Sequence, residues 1–331
     1  MDISVCIPVY NVEHYLKRCL DSLFSQEFEG TFEVICVDDA STDNSLSILK
    51  EYQLKEPRLN VLQLIEKKKI SVARSTAICA ASGNYIMQVD SDDWLLPGTF
   101  NSLYQKSIEI NADVIVYDYV VDHDFEKQII HNHFDKEGFV TEDKSCVQEI
   151  FSGTSVCKMV KRSLLSDLLF YNFDISWGDD FLFNTEILLK AETIYLFPRA
   201  FYVYCTNRDS ISFSIKKNKN EMLEDRITSI EATNLILSKF PASDKLKQSL
   251  LNYHIYKFLI FLFRTDSSDC ERKELLKRLT DSMRELPLMT EAKYRRLCLS
   301  AKYPLYALIY MALGFDFKLS LSVYYEKYLR R

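Results

Sequence analysis

The sequence predicts an α/β fold: a mostly parallel sheet with intervening helices over residues 1–213, followed by a helical region over 214–331. Two features carry this expectation. Short apolar runs of strand length alternate with runs whose apolar residues recur at helical spacing, the pattern of βαβ units. From about 215 onward the pattern is helical, with no glycine until Gly314. Charge divides at the same place. Residues 1–214 hold 19 Lys/Arg against 33 Asp/Glu, net −14, and residues 215–331 hold 22 against 14, net +8. The split suggests two functional halves.

Taken in order, Ile3–Val9 is a buried strand ending at Tyr10-Asn11. The residues Val12, Tyr15, Leu16, Cys19, Leu20, Leu23 and Phe24 form one stripe of a helix. Phe32–Val37 is a second strand running into Asp38-Asp39, and Ser41-Thr42-Asp43 has the chemistry of a helix start. Asn60–Ile65 is a third strand, and Ile70–Ala81 a helix stopped by Gly83. Tyr85–Val89 is a fourth strand, delivering the chain to Asp90. Pro97 opens another helix and Asp113–Tyr117 is a fifth strand. Residues 118–150 have hairpin character, and two short strand-like runs surround Tyr195 and Tyr202.

The composition, 47% hydrophobic and 27% charged, is that of a foldable globular chain. Nine cysteines without a C-x-x-C pair read as buried thiols in a reducing compartment. The apolar start lacks a basic leader, so no signal peptide is expected, and no run reaches the ~18 apolar residues of a spanning helix. A cytoplasmic protein is expected, with no nucleic-acid partner. An acidic half that binds a phosphorylated substrate would need a cation as mediator.

In a parallel sheet, ligands bind beyond the carboxyl ends of the strands. Three such ends here are polar or acidic: Tyr10-Asn11, Asp38-Asp39 and Asp90-Ser91-Asp92-Asp93. The last packs three carboxylates into four residues, a repulsion that a hard divalent cation shared with phosphate oxygens would relieve. An acidic first turn ahead of Pro97 explains the same residues without a ligand. The calcium-loop frame with its glycine is absent.

Four segments then occur in a fixed order: SVCIPVYN (4–11), VICVDDASTDNS (34–45), VARSTAICAASGNYIMQVDSDDWLLP (72–97) and SWGDDFLF (176–183). This set resembles the family 2 glycosyltransferases, inverting enzymes of the Rossmann-like GT-A fold, over residues 1–213. The resemblance implies a nucleotide-diphospho-sugar donor, usually UDP-linked. It places Pro8 and Tyr10 at the base and ribose, with Tyr10 stacking on uracil and Asp39 accepting a hydrogen bond from it. Arg74 would help hold the nucleotide, Asp90 would contact the ribose or the metal shell, and Asp92 would ligate Mn²⁺ or Mg²⁺. Asp180 matches the catalytic base, a role that suits a carboxylate facing an acceptor hydroxyl. Arg208, with Asn207, Ser210 and Ser212, resembles a segment that closes over the diphosphate, and a guanidinium suits that task. The chain departs from the family pattern at Ser75 and Ala77, where Asn and Gly are usual, and at Asp179, where Glu is usual.

Many relatives build surface polysaccharides, so the expected acceptor is a glycan or lipid-linked glycan. Two other classes stay open: a nucleotidyltransferase, which would normally show a Gly-rich phosphate loop near the first strand, and a non-catalytic nucleotide-sugar binder. Lys158 and Lys161-Arg162 read as a solvated basic turn or an acceptor-phosphate contact, and Lys67-Lys68-Lys69 as a solvated loop. In the tail, Leu250, Leu251, His254, Ile255, Phe258, Leu259, Leu262 and Phe263 form a helical stripe. The apolar run 303–315, flanked by Lys302, Lys318, Lys327, Arg330 and Arg331, suits either membrane-surface contact through 300–331, at the inner face of the cell membrane, or a core or oligomer helix.

Overall fold

A computed structural model of the chain describes residues 1–123, 127–131, 136–140, 154–206 and 219–243, with 246, 247, 250, 251, 253, 254 and 277. The chain divides into two compact units, Met1–Ser214 and Ile215–Arg331.

In the first unit the described elements run β1 (Ile3–Val9), α1 (Leu16–Phe24), β2 (Phe32–Asp38), α2 (Ser45–Lys55), β3 (Leu59–Gln63), α3 (Ile70–Ala80) and β4 (Tyr85–Gln88). They continue with β5 (Trp94–Leu95), α4 (Thr99–Ile110), β6 (Val114–His123), β7 (Lys127–His131), β8 (Gly138–Phe139) and β9 (Lys158–Lys161). Two 3₁₀ turns, Arg162–Leu165 and Leu169–Asn172, precede α5 (Asp179–Lys190) and β10 (Ile194–Cys205). The sheet order is β3-β2-β1-β4-β9-β6-β10-β5, with β7 on β6 and β8 on β10.

The half β3-β2-β1-β4 is wholly parallel. Strand β9 then enters antiparallel to both β4 and β6, while β10 runs parallel to β6. Every residue of β1 is buried, as a central parallel strand covered on both faces requires. Alternate residues Ile3, Val5, Ile7 and Val9 join Leu16, Cys19, Leu20 and Leu23 of α1 and Phe100 and Leu103 of α4 in one core. Phe28, Phe32, Phe100 and Tyr104 close its edge with tilted and edge-on ring contacts. Helix α3 packs against β1 and β2. Pro8 lies beyond the Cys6–Gln88 pair that ends the β1–β4 ladder, so its missing N–H leaves no rung unmade.

The departures from expectation have local causes. The first helix begins at Leu16 because Ser45 Oγ and Asp43 Oδ2 take the amides of Val12 and Glu13 at 2.9 and 3.0 Å. The same Asp43 accepts Ser45 N–H at 2.9 Å, so the second helix starts at Ser45. Gly83 serves close approach: a Cβ there would lie 2.5 Å from the Ser4 amide nitrogen and 2.7 Å from the Ile3 carbonyl carbon. The runs around Tyr195 and Tyr202 are one strand, β10, with register shifts on either side of Ala200, just after Pro198. Strands β5 and β9 have no counterpart among the expected elements.

In the second unit α6 spans Lys219–Lys239. Leu250, Leu251 and His254 of the expected stripe are buried. His254 Nδ1 lies 3.2 Å from Thr233 Oγ1, and burial pushes this imidazole down to about 3, so it is neutral. Ile255, Phe258, Leu259, Leu262, Phe263 and the whole of 300–331 lie outside the described residues. Among the described residues no helix is long and apolar enough to cross a membrane.

Candidate active site

Strands β2, β1 and β4 are parallel neighbours, so Asp38-Asp39, Tyr10 and Asp90 come to one rim. Asp39 N–H donates to Val9 O at 2.8 Å, fixing the first two ends together. Asn11, in a left-handed conformation at φ 51°, donates its amide to Ser41 Oγ at 3.1 Å. The segment read as a solvated loop folds over this corner. Lys68 N–H donates to Asp39 Oδ1 at 2.6 Å, and Lys67 Nζ stands 4.0 Å from the centre of the Tyr10 ring. Burial raises the Asp39 pKa above its ordinary value, against the lowering effects of the Lys68 amide and the Lys67 charge.

The acidic run after β4 divides its labour. Asp93 is buried and faces inward, accepting Tyr202 Oη–H at 2.5 Å and Cys205 N–H at 2.7 Å. Asp90 N–H donates to the same Tyr202 oxygen at 3.1 Å, so one phenol on β10 orients both ends of the run. Burial, with Asp92 and Asp90 adding to it, raises the Asp93 pKa. Asp90 and Asp92 stay partly exposed at the rim.

Arg74, on α3, ties this rim to α5. Its Nη2 donates to Asp90 Oδ1 at 2.7 Å, and its Nη1 donates to Asp180 Oδ1 at 2.8 Å and to Asp179 Oδ2. The guanidinium and Asp179 are each 4% exposed, whereas Asp90 is 28% and Asp180 33% exposed. Arg74 and Asp179 thus form a buried pair, and the outer two carboxylates reach the surface. Gly178, at φ 93°, lets the chain turn into α5 and present Asp179 and Asp180 in its first turn. Burial pushes Asp179 up to about 7, opposed by Arg74 and reinforced by Asp180 and Asp90. Asp180 Oδ1 also accepts Ser155 N–H at 2.9 Å. Both of these donors to Asp180 fall on Oδ1.

The residues that could hold a cation are Asp90, whose Oδ1 accepts from Arg74, and the neighbouring Asp92. One or two carboxylates completed by phosphate oxygens are how Mg²⁺ and similar ions are commonly held. Among the described residues no group of three or more His, Cys, Asp or Glu forms an all-protein cage.

Of the residues expected at the site, Pro8 lies on β1, Tyr10 and Asp39 directly follow β1 and β2, Arg74 lies on α3, Asp180 on α5, and Asp90 and Asp92 in the run after β4. Arg208 lies outside the described residues, as do Asn207, Ser210 and Ser212. Arg74 has Nη1 and Nη2 on carboxylates, and its Nε is buried without a hydrogen-bond partner among the described residues. Lys158, read as part of a solvated basic turn or an acceptor-phosphate contact, is buried on β9. Sequence reasoning missed Ser155, Asn184 and Tyr202; only Asn184 left a signal, standing one helical turn after Asp180.

A sheet of this order, with acids at the ends of β2 and β4 and a carboxylate pair opening α5, defines the GT-A class of nucleotide-sugar folds. Crystal structures of S. aureus TarS 1–349 share it. One has a TM-score of 0.73 at 22% identity, covering 95% of this chain and 91% of that one. A second, in complex with UDP-GlcNAc, has a TM-score of 0.72 at 21% identity with the same coverage. The chain belongs to glycosyl transferase family 2, whose sequence pattern matches residues 4–169. It is similar to the glycosyltransferase GlyA of Streptococcus pneumoniae serotype 4, 32% identical over 63% of this chain and 31% of that protein. It is also similar to the poly(ribitol-phosphate) beta-glucosyltransferase of Bacillus spizizenii, 30% identical over 87% of this chain and 45% of that protein. The chain therefore spans less than half the length of these curated relatives.

Proposed function

We propose that the chain is an inverting glycosyltransferase that moves a sugar from a UDP-linked donor to a hydroxyl of a cell-surface glycan or lipid-linked glycan. One observation carries this reading: the Arg74 guanidinium bonds Asp90 at the donor rim and Asp180 on α5 together. A base and a leaving-group site held on one rigid cation suit in-line displacement, in which the acceptor oxygen attacks opposite the departing diphosphate.

In this reading Pro8 and Tyr10 receive the base and ribose, and Asp39 accepts the uracil N–H with Oδ2. Asp180 Oδ2 takes the proton of the acceptor hydroxyl as the oxygen attacks the anomeric carbon. Asp92 and Asp90 would hold Mn²⁺ or Mg²⁺, which when bound would supply charge stabilisation for the leaving diphosphate. Arg208 closes over that diphosphate. The acceptor is a hydroxyl-rich wall polymer of the poly(ribitol phosphate) kind, by the names of the relatives from Bacillus spizizenii and Staphylococcus aureus. The basic second half suits such an anionic polymer, or the membrane surface on which it grows.

The test is UDP release from UDP-glucose and UDP-N-acetylglucosamine, with and without poly(ribitol phosphate), in Mn²⁺ and in EDTA. Acceptor-stimulated release that EDTA abolishes supports the reading, and a β-linked product from an α-linked donor establishes inversion. Asp180→Asn should lose about 10²–10⁴-fold in turnover while still binding UDP by calorimetry. Near-parental turnover by that variant would exclude Asp180 as the base.

A further inference from the structure

We infer that Lys158 and Asn184 form a clasp that positions the Asp180 carboxylate, acting through the backbone of Thr154 and Ser155. The inference rests on the reading of Asp180 as the base, and it makes Lys158 a positioning residue.

Asp180 and Asn184 stand one turn apart on α5 and so share a face. Each grips one of two consecutive residues of the segment ahead of β9. Asp180 Oδ1 accepts Ser155 N–H at 2.9 Å, and Asn184 Nδ2 donates to Thr154 O at 2.8 Å. Lys158 Nζ donates to that same Thr154 carbonyl and, at 3.3 Å, to Val156 O. The lysine therefore closes a turn on its own preceding backbone.

The turn needs closing. Cys157 sits at φ 60°, a left-handed conformation that a non-glycine residue adopts at a cost. Tyr117 N–H donates to Cys157 O at 3.1 Å and pins the far side of the turn to β6. Lys158 itself is 1% exposed. A buried ammonium is expensive unless carbonyls and a nearby anion compensate it. Here the carbonyls are those of Thr154 and Val156, and the anion attracting it across the turn is Asp180, with Cys157 the other titratable neighbour. An apolar side chain would fill the same space more cheaply, so the amine's distinguishing contribution is the geometry it imposes on 154–156.

The consequence falls on the base. Without the amine, Thr154 O keeps only Asn184, the turn can relax from Cys157, and Ser155 N–H drifts from Asp180 Oδ1. The carboxylate would then be held by Arg74 alone and lose the orientation that presents Oδ2. Donor binding, which depends on β1, β2 and the run after β4, should be untouched.

The experiment compares Lys158→Met, Asn184→Ala and Asp180→Asn for UDP release from UDP-glucose and UDP-N-acetylglucosamine with Mn²⁺, and for UDP affinity by calorimetry. Lys158→Met is expected to lower kcat about 10–100-fold, part of the general-base contribution, with UDP affinity within about twofold of the parent. Asn184→Ala should act in the same sense but less, about 3–10-fold. A folded Lys158→Met with parental kcat overturns the inference. So does a variant in which kcat and UDP affinity fall together, the mark of a merely structural role. Should Lys158→Met fail to fold, Asn184→Ala decides by the same two criteria. Asp180→Asn separates the layers: if it stays active, the base reading itself fails, whereas an inactive Asp180→Asn beside unaffected clasp variants removes only the clasp.

Discussion

Replacing Arg74 with methionine would leave Asp90, Asp179 and Asp180 without the cation they share. Breaking a buried ion pair by removing one partner costs about 3–5 kcal/mol when the orphaned charge cannot neutralise. Here one partner can. Burial already pushes Asp179 up to about 7, and Arg74 is what lowers it. In Arg74→Met its folded pKa rises further. From pH ~4, where an unfolded aspartate ionises, to pH ~7, both folded proteins keep the proton. Both lose stability in parallel over that range, so their difference is flat. Above pH 7 the parent has released the proton and its stability levels off, while the variant keeps losing about 1.4 kcal/mol per pH unit. The expected penalty is about 2 kcal/mol at pH 6 and about 4 kcal/mol at pH 8.5. Urea unfolding in EDTA, followed by tryptophan fluorescence, reads this unit directly, because both tryptophans, Trp94 and Trp177, lie in it. A penalty equal at the two pH values, or larger at pH 6, would refute the reasoning.

Three other perturbations test the surrounding structure. Burial raises the Asp39 pKa, and on the proposed reading the ionised form accepts the uracil N–H, so UDP affinity should fall on acidification at a milder pH than an ordinary carboxylate would give. Asp39→Asn should bind UDP weakly and without that acid limb, as calorimetry from pH 4.5 to 7.5 would read. Gly83→Ala puts a methyl group 2.5 Å from the Ser4 amide nitrogen and should destabilise by about 1–3 kcal/mol in urea unfolding. Tyr202→Phe removes a donor from buried Asp93 and an acceptor from Asp90 N–H. It should cost about 1–3 kcal/mol and lower metal-dependent UDP release, since both ends of the acidic run lose their anchor.

The rim at Tyr10, Asp39 and Asp90 was legible because strand periodicity and strand-end position are local properties. A run such as Phe32–Asp38 announces both its burial and the residue that ends it. The Arg74 cluster was not legible, because its partners lie 16, 105 and 106 residues away. The family pattern could point to a base at Asp180 without revealing that the arginine of VARS is buried against it. Lys158 misled for a related reason. A four-residue strand has too few residues to show alternation, so Lys158 through Arg162 reads as a charged turn. Its burial follows from where β9 is inserted, antiparallel between β4 and β6, a tertiary fact with no local signature. Asp93 was indistinguishable from Asp92 in the sequence, and only the pairing of β5 with β10 turns it inward.

The charge balance at the rim bears on how a diphosphate could bind there at all. Asp90, Asp179 and Asp180 share the buried Arg74 guanidinium, Asp92 lies two residues beyond Asp90, and buried Lys158 attracts Asp180 from the turn ahead of β9; protonation of Asp179 relieves only part of the remaining excess. A donor diphosphate brings more negative charge to the same place. Arg74 cannot turn to meet it, since Nη1 and Nη2 are taken by carboxylates and its Nε is buried without an acceptor. Lys67 stands at the base end, over the Tyr10 ring. On the proposed reading the balance comes from a divalent cation on Asp92 and Asp90, with Arg208 as the expected partner of the diphosphate. The family pattern names those same groups from motif alone. On the proposed reading Arg74 stays with Asp180, so the leaving group needs a cation of its own.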